Sequence, residues 1–232
     1  MQEGILLEYM TDPKTSAYVL VNRYETNILP TAEQVRYALD VLAAKHEVFR
    51  TSIIYRGVDT PCQAIIDRKL GLRYVDISHE SDIYAASERI HKEELAATFD
   101  LQSSPLYRVV VLKTSETTSH ILLVTHHIII DGWCQPIYFQ DFLAALQGAM
   151  AGNTEPIMPG VAGRYEEAVR DILSFDKKTA FAYWRQLLSD YTDKAIIPYS
   201  YKPVPESSRK ARTIGLSIEP AVMKQLQELC SK

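Results

Sequence analysis

The sequence predicts a mixed α/β fold, a mixed β-sheet with flanking helices, and three stretches carry that expectation. Val35, Ala38, Leu39 and Leu42 recur at helical spacing behind Thr31, which with Gln34 three residues on fits a capping box. Residues 51–56 and 62–66 are short runs rich in β-branched or aromatic side chains, and the Gly57-Val58-Asp59-Thr60-Pro61 turn between them makes a hairpin. Residues 106–113 and 120–130 read as two more strands, joined by a polar Ser/Thr/Glu turn.

The first helix is expected over 31–45, before the hairpin, and a second over 82–98, before the strand pair. Beyond the strands, Ile137, Phe142, Ala145, Leu146 and Ala149 give Gln135 to Met150 helical spacing, which stops near Gly152-Asn153. Helical stretches over 164–173 and 178–188 follow. Pro198, Pro203 and Pro205 then mark 196–211 as an extended connection between two structural units. A short strand over 212–218 and a helix over 220–231 complete the expected order, with no internal repeat.

With 232 residues, 47% hydrophobic and 23% charged, the chain can bury one substantial core or two small ones. A net charge of -4 supplies no large positive field, which argues against a nucleic-acid surface or an anionic membrane as partner. Apolar runs such as Ile128 to Ile130 are far shorter than the roughly 20 residues that cross a bilayer. The opening residues show neither a basic leader nor a small-residue cleavage site, so the expected location is cytoplasmic. Cys62, Cys134 and Cys230 stand far apart and read as buried free thiols.

Chemically loaded residues are densest at His126-His127-Ile128-Ile129-Ile130-Asp131-Gly132-Trp133, at the end of the most hydrophobic strand. Strand alternation lets only one of His126 and His127 project into a given cleft, so the other should be packed. Gly132 can relieve a sharp turn after Asp131, and backbone N–H groups there can meet a developing oxyanion. Residue types alone leave a second reading open, in which the histidines are satisfied polar groups at a sheet edge and Asp131 caps the next helix. Zinc would need three or four ligands, and no partner set stands at a recognised spacing. A second cluster, Lys45-His46-Glu47-Val48-Phe49-Arg50-Thr51, suits the end of the first helix, and Arg50 offers a cationic fork that could hold Asp131.

Together the two clusters resemble the condensation-domain superfamily of nonribosomal peptide synthetases. Residues 126–132 match its His-His-x-x-x-Asp-Gly signature in full. Lys45 to Thr51 resemble its Arg-His-Glu-x-Leu-Arg-Thr motif, with departures at Lys45 and Phe49. Gln2-Glu3-Gly4-Ile5-Leu6 is similar to its opening Gln-x-Gly motif, and Tyr183-Trp184-Arg185 to its Tyr-Trp segment. Tyr165-Glu166-Glu167-Ala168 takes the place of a Tyr-x-Asp-aromatic element, with Glu167 where Asp is usual.

The resemblance implies a lobe like that of chloramphenicol acetyltransferase, one of two arranged as a V around a catalytic histidine. Residues 1–195 would be the amino-terminal lobe, 196–211 the inter-lobe connection and 212–232 the start of a truncated second lobe. Such a fragment should not catalyse efficiently alone. The implied reaction is peptide-bond formation between a donor aminoacyl or peptidyl thioester and an acceptor aminoacyl thioester. His127 and the Gly132 N–H would be catalytic, and His126, Asp131, Arg50 and Trp133 would shape the site. No metal or organic cofactor is bound directly; the substrates ride on the phosphopantetheine arms of donor and acceptor peptidyl carrier domains. Adenylation or epimerisation domains of the same synthetase are the implied neighbours. The opening residues and Asp12-Pro13 look most like the subclass that takes a D-configured donor. An epimerisation domain shares the signature, and a non-catalytic recruitment module is the remaining alternative. Heterocyclisation domains carry Asp-x-x-x-x-Asp in place of the histidine pair, and a free acyltransferase would accept soluble thioesters.

Overall fold

Along the chain the elements are α1 (Gln2–Thr11), β1 (Val19–Thr26), α2 (Ala32–Lys45), a 3₁₀ turn (Glu47–Arg50), β2 (Thr51–Ile54), β3 (Cys62–Ile65), β4 (Gly71–Asp76), α3 (Ile83–Ala96), β5 (Tyr107–Lys113), β6 (Ser119–His126), α4 (Gln135–Met150), α5 (Tyr165–Ser174), α6 (Lys177–Leu187) and α7 (Pro220–Cys230). The structure, a computed structural model, describes residues 1–103, 105–153, 164–192 and 216–231. The chain divides into two compact units, Met1–Phe175 and Asp176–Lys232.

In the first unit four strands form a mixed sheet in the order β1-β6-β5-β4, antiparallel except for the parallel pair β4 and β5. β2 and β3 form the separate hairpin expected from the turn at 57–61. Side-chain alternation assigns the helices to opposite faces of the sheet. His120 of β6 bonds to Ser87 of α3, whereas Tyr107, paired with Thr125 of the other parity, packs its ring on Tyr138 of α4. α4 in turn packs on α2. Covered on both sides, β5 and β6 are buried along nearly their whole length, and their Val and Leu run forms the centre of the core.

Local chemistry explains several boundaries. The Thr31 side chain accepts from Gln34 N–H at 3.2 Å while Thr31 N–H donates to the Gln34 side chain at 2.8 Å, so α2 begins at the predicted capping box. α4 stops at Gly152, whose φ of +84° lets the chain turn back so that Asn153 N–H reaches the Gly148 carbonyl. Gly71 is fixed by close approach, because a Cβ there would lie 2.6 Å from the Arg108 Cβ of the neighbouring strand.

β6 ends at His126, short of the strand expected to reach Ile130. Its partners run out together: β1 begins at Val19 opposite His126, and β5 begins at Tyr107 opposite Thr125. Ile128, Ile129 and Ile130 fold instead into a buried turn closed by Ile129 N–H on the His126 carbonyl. α1, β1 and β4 carry no expectation from the sequence. Of the strand expected over 212–218, the described residues 216–218 are not in a strand, and 212–215 lie outside the described residues. The connection expected over 196–211 also lies outside them.

The second unit contains α6 and α7. The Asp176 side chain caps α6 by accepting from the Lys178 and Thr179 N–H groups. None of this unit's described residues is buried. The cysteines are free but not buried as expected: Cys62, on the open hairpin, and Cys230, at the end of α7, are exposed, and Cys134 is half-buried.

Candidate active site

The signature residues occupy the end of β6 and the turn that leads into α4. His126 is only 2% exposed and sits among the rings of Tyr9, Tyr18 and Phe99, whose centroids lie 6.2 to 6.5 Å away. Its Nδ1 accepts the Ile128 N–H at 3.2 Å, which requires that nitrogen to be unprotonated. Burial first, and the charge of neighbouring His127 second, push its pKa down to about 4. A neutral His126 therefore closes the turn and is sealed from any substrate.

His127 is half-buried, and among the described residues its ring has no hydrogen-bond partner. Its backbone is fixed on both sides. Its own N–H donates to the Tyr18 carbonyl at 2.8 Å, and the carbonyl of the next residue, Ile128, accepts from the Gln2 side chain at 2.8 Å. The Gln2 Nε2 also lies 3.4 Å from the Tyr165 hydroxyl, and its Oε1 accepts from Gln63 Nε2 at 3.3 Å. Tyr165 N–H reaches the Glu47 carboxylate at 3.3 Å. Four segments far apart in sequence are thus linked, by way of Gln2, to the residue after His127. They also contribute to the wall of a cavity of about 640 Å³ that includes Gln2, Glu47, Ile128 and Tyr165.

Asp131 is placed differently from the expectation. Its Oδ1 accepts from Trp133 N–H at 3.0 Å and Cys134 N–H at 3.1 Å, so the carboxylate caps the turn preceding α4. The Cys134 thiol and N–H, the Trp133 N–H and nearby His127 hold its carboxyl below the usual carboxylate range. The pairing expected between Arg50 and Asp131 does not occur. Arg50 Nε donates instead to the Ala43 carbonyl at 3.0 Å, stitching the 3₁₀ turn to the end of α2. A carboxylate already satisfied by two backbone N–H groups has no need of the guanidinium.

Gly132 does not supply the turn relief expected of it. Its φ is not positive, and a Cβ there would meet nothing within 4 Å. Neither the backbone nor the packing of these residues requires glycine, and its N–H has no partner among the described residues. Trp133 is 88% exposed. Among the described residues no three His, Cys, Asp or Glu side chains gather to hold a metal ion.

The condensation-domain family matches residues 1–232. The chain belongs to that family. Over its whole length it is 27% identical to bacitracin synthase 3 of Bacillus licheniformis and 24% identical to gramicidin S synthase 2 of Brevibacillus brevis. It spans only 4% and 5% of those proteins' own lengths. Among solved structures, the starter condensation domain of rhizomide synthetase RzmA superposes with a TM-score of 0.70 at 17% identity, over 83% of this chain and 47% of that one. The first condensation domain of the CDA synthetase does so with a TM-score of 0.68 at 18% identity, over 82% and 49%. The condensation-domain fold read from the motifs is therefore present, and this chain spans about half the length of those solved domains.

Sequence reasoning found the signature but missed how the other motifs reach it. Gln2, Glu47 and Tyr165 each stand in a matched segment, yet only the folded chain links them to Ile128, Gln2 directly and the other two through it. Gln63, an amide in an ordinary-looking hairpin strand, gave no signal. No helix among the described residues is long and apolar enough to cross a membrane.

Proposed function

We propose that the condensation domain to which this chain contributes forms a peptide bond between carrier-bound substrates, with His127 as its catalytic side chain. In this reading residues 1–195 are its amino-terminal lobe. Donor and acceptor are thioesters on the phosphopantetheine arms of two peptidyl carrier domains. The acceptor amine attacks the donor carbonyl, the carbon–sulfur bond breaks, and the amine proton passes by way of His127 to the leaving sulfur. The free Gly132 N–H is the candidate donor to the oxyanion, and Asp131 holds the turn that presents it.

The observation that carries this reading is the division between two adjacent histidines. A pair serving only as satisfied polar groups at a sheet edge would have both rings hydrogen-bonded, whereas here one imidazole is neutral, enclosed and bonded and the other has its backbone clamped and its ring unpartnered among the described residues. The test uses the polypeptide that carries this chain together with the rest of its domain. Donor-loaded and acceptor-loaded carriers are mixed, and carrier-bound products are followed by mass spectrometry for wild type and His127→Ala. The expected product is a dipeptidyl thioester formed only by wild type. An inverted donor would replace this reading with epimerisation, and no product with any loaded pair would leave recruitment as the function.

A further inference from the structure

The side-chain amide of Gln2 holds the backbone directly after His127, and its orientation follows from hydrogen-bonding capacity alone. A carbonyl only accepts, so the contact at 2.8 Å with the Ile128 oxygen requires the amide nitrogen of Gln2 to face it. That leaves Oε1 on the other side, where it accepts from Gln63 Nε2 at 3.3 Å. The same nitrogen lies 3.4 Å from the Tyr165 hydroxyl. Gln2 is thereby held by β3 and α5 while it grips the turn at 127–128. The other grips on that turn come from the end of β6 and from the residue before β1: His127 N–H on the Tyr18 carbonyl, Ile128 N–H on His126 Nδ1 and Ile129 N–H on the His126 carbonyl. Gln2 is the tie that arrives from another element by a side chain, on a turn whose three isoleucines have left the strand ladder.

We infer that Gln2 is a positioning residue for His127: it fixes the 128–129 peptide, one residue beyond the histidine, so that the imidazole is presented in one orientation, and Gln63 and Tyr165 set the orientation of Gln2 in turn. The inference rests on the assignment of His127 to the reaction. Catalytic geometry is steep, since a displacement of about 1 Å can cost roughly 100-fold in rate. Gln2→Met keeps the length and volume of the side chain and removes both the donor and the acceptor. A loss of packing alone would therefore leave the variant close to wild type.

The experiment measures single-turnover rates and substrate dependence with loaded carriers, at equal concentrations of folded protein, for wild type, Gln2→Met and His127→Ala, alongside the ¹⁵N signals of the His127 ring. For Gln2→Met the expected result is a rate lower by roughly 10- to 100-fold with half-saturating concentrations of both carriers unchanged. Its His127 ring signals should shift as the ring samples several rotamers. Should Gln2→Met fail to fold, Gln63→Met, which frees the Gln2 amide to turn without touching Ile128, should show the same pattern at smaller amplitude. A Gln2→Met rate equal to wild type, or a deficit explained by half-saturation or by folded fraction, overturns the inference while leaving the role of His127 standing if His127→Ala is still impaired. Wild-type activity that survives His127→Ala overturns both.

Discussion

His126 and His127 share a chemistry and are separated by their surroundings, and for His126 those surroundings set the response to acid. Enclosure among three rings lowers His126 from 6.5 to about 4. Between those values the unfolded chain binds a proton that the folded chain refuses. The stability contributed by neutral His126 is therefore complete above pH 6.5 and is lost as pH falls toward 4, by about 3 kcal/mol in total. Urea unfolding at several pH values should show this acid slope in wild type and a flatter one in His126→Asn; equal slopes would contradict the assignment. Asp131 and Arg50 have separate partners, so the effects of Asp131→Asn and Arg50→Gln on Tm should add without coupling. Tyr107 presents the opposite case to His126. Its hydroxyl is buried with no partner among the described residues, and burial drives its pKa far upward. Tyr107→Phe should leave stability unchanged or higher, as measured by denaturant midpoint.

At the scale of elements, α3 is fastened to the sheet by charge as well as by packing. Glu94, buried on α3, takes Arg73 of β4 at 2.8 Å and Arg108 of β5 at 2.7 Å. Glu94→Gln should cost about 3 kcal/mol, because it leaves the partly buried Arg108 without its counter-ion. Guanidinium titration checks the value, and a change within error of zero would mean that solvent already compensates both arginines. These same elements show what the sequence made legible. α2, α3, α4 and the hairpin each announce themselves by a cap, a strong apolar stripe or a turn, and all appear within a few residues of their expected limits. β4 is an edge strand, half-exposed, with Arg73 committed to Glu94, and β1 interrupts its apolar positions with Asn22, Arg23 and Glu25. Such strands owe their state to the neighbour they pair with, which local pattern does not reveal. The overlong β6 has the same origin, since three isoleucines read equally well as strand or as buried turn.

Across the whole molecule, burial is confined to the first unit: every buried described residue lies before Phe175. A chain ending at Phe175 should therefore fold cooperatively by itself, with a thermal midpoint near that of the full chain; a broad, uncooperative transition would show that the second unit is needed. Family and signature were legible because the chemistry of the site is concentrated in seven consecutive residues. Its scaffold was not, because Gln2, Glu47, Gln63 and Tyr165 meet only through long-range folding. The arginine pairing expected for Asp131 failed for a related reason: two backbone N–H groups created by the fold reach the carboxylate first. On this reading the half-buried, unpartnered member of the histidine pair performs the chemistry while the aspartate holds the turn. Single-turnover transfer between loaded carriers tests it most directly, comparing wild type, His127→Ala and Asp131→Asn at equal folded concentration. The expected results are a loss of roughly 10² to 10⁴ for His127→Ala and a rate near wild type for Asp131→Asn, whose amide oxygen still caps the turn. Transfer by His127→Ala at the wild-type rate would contradict this reading.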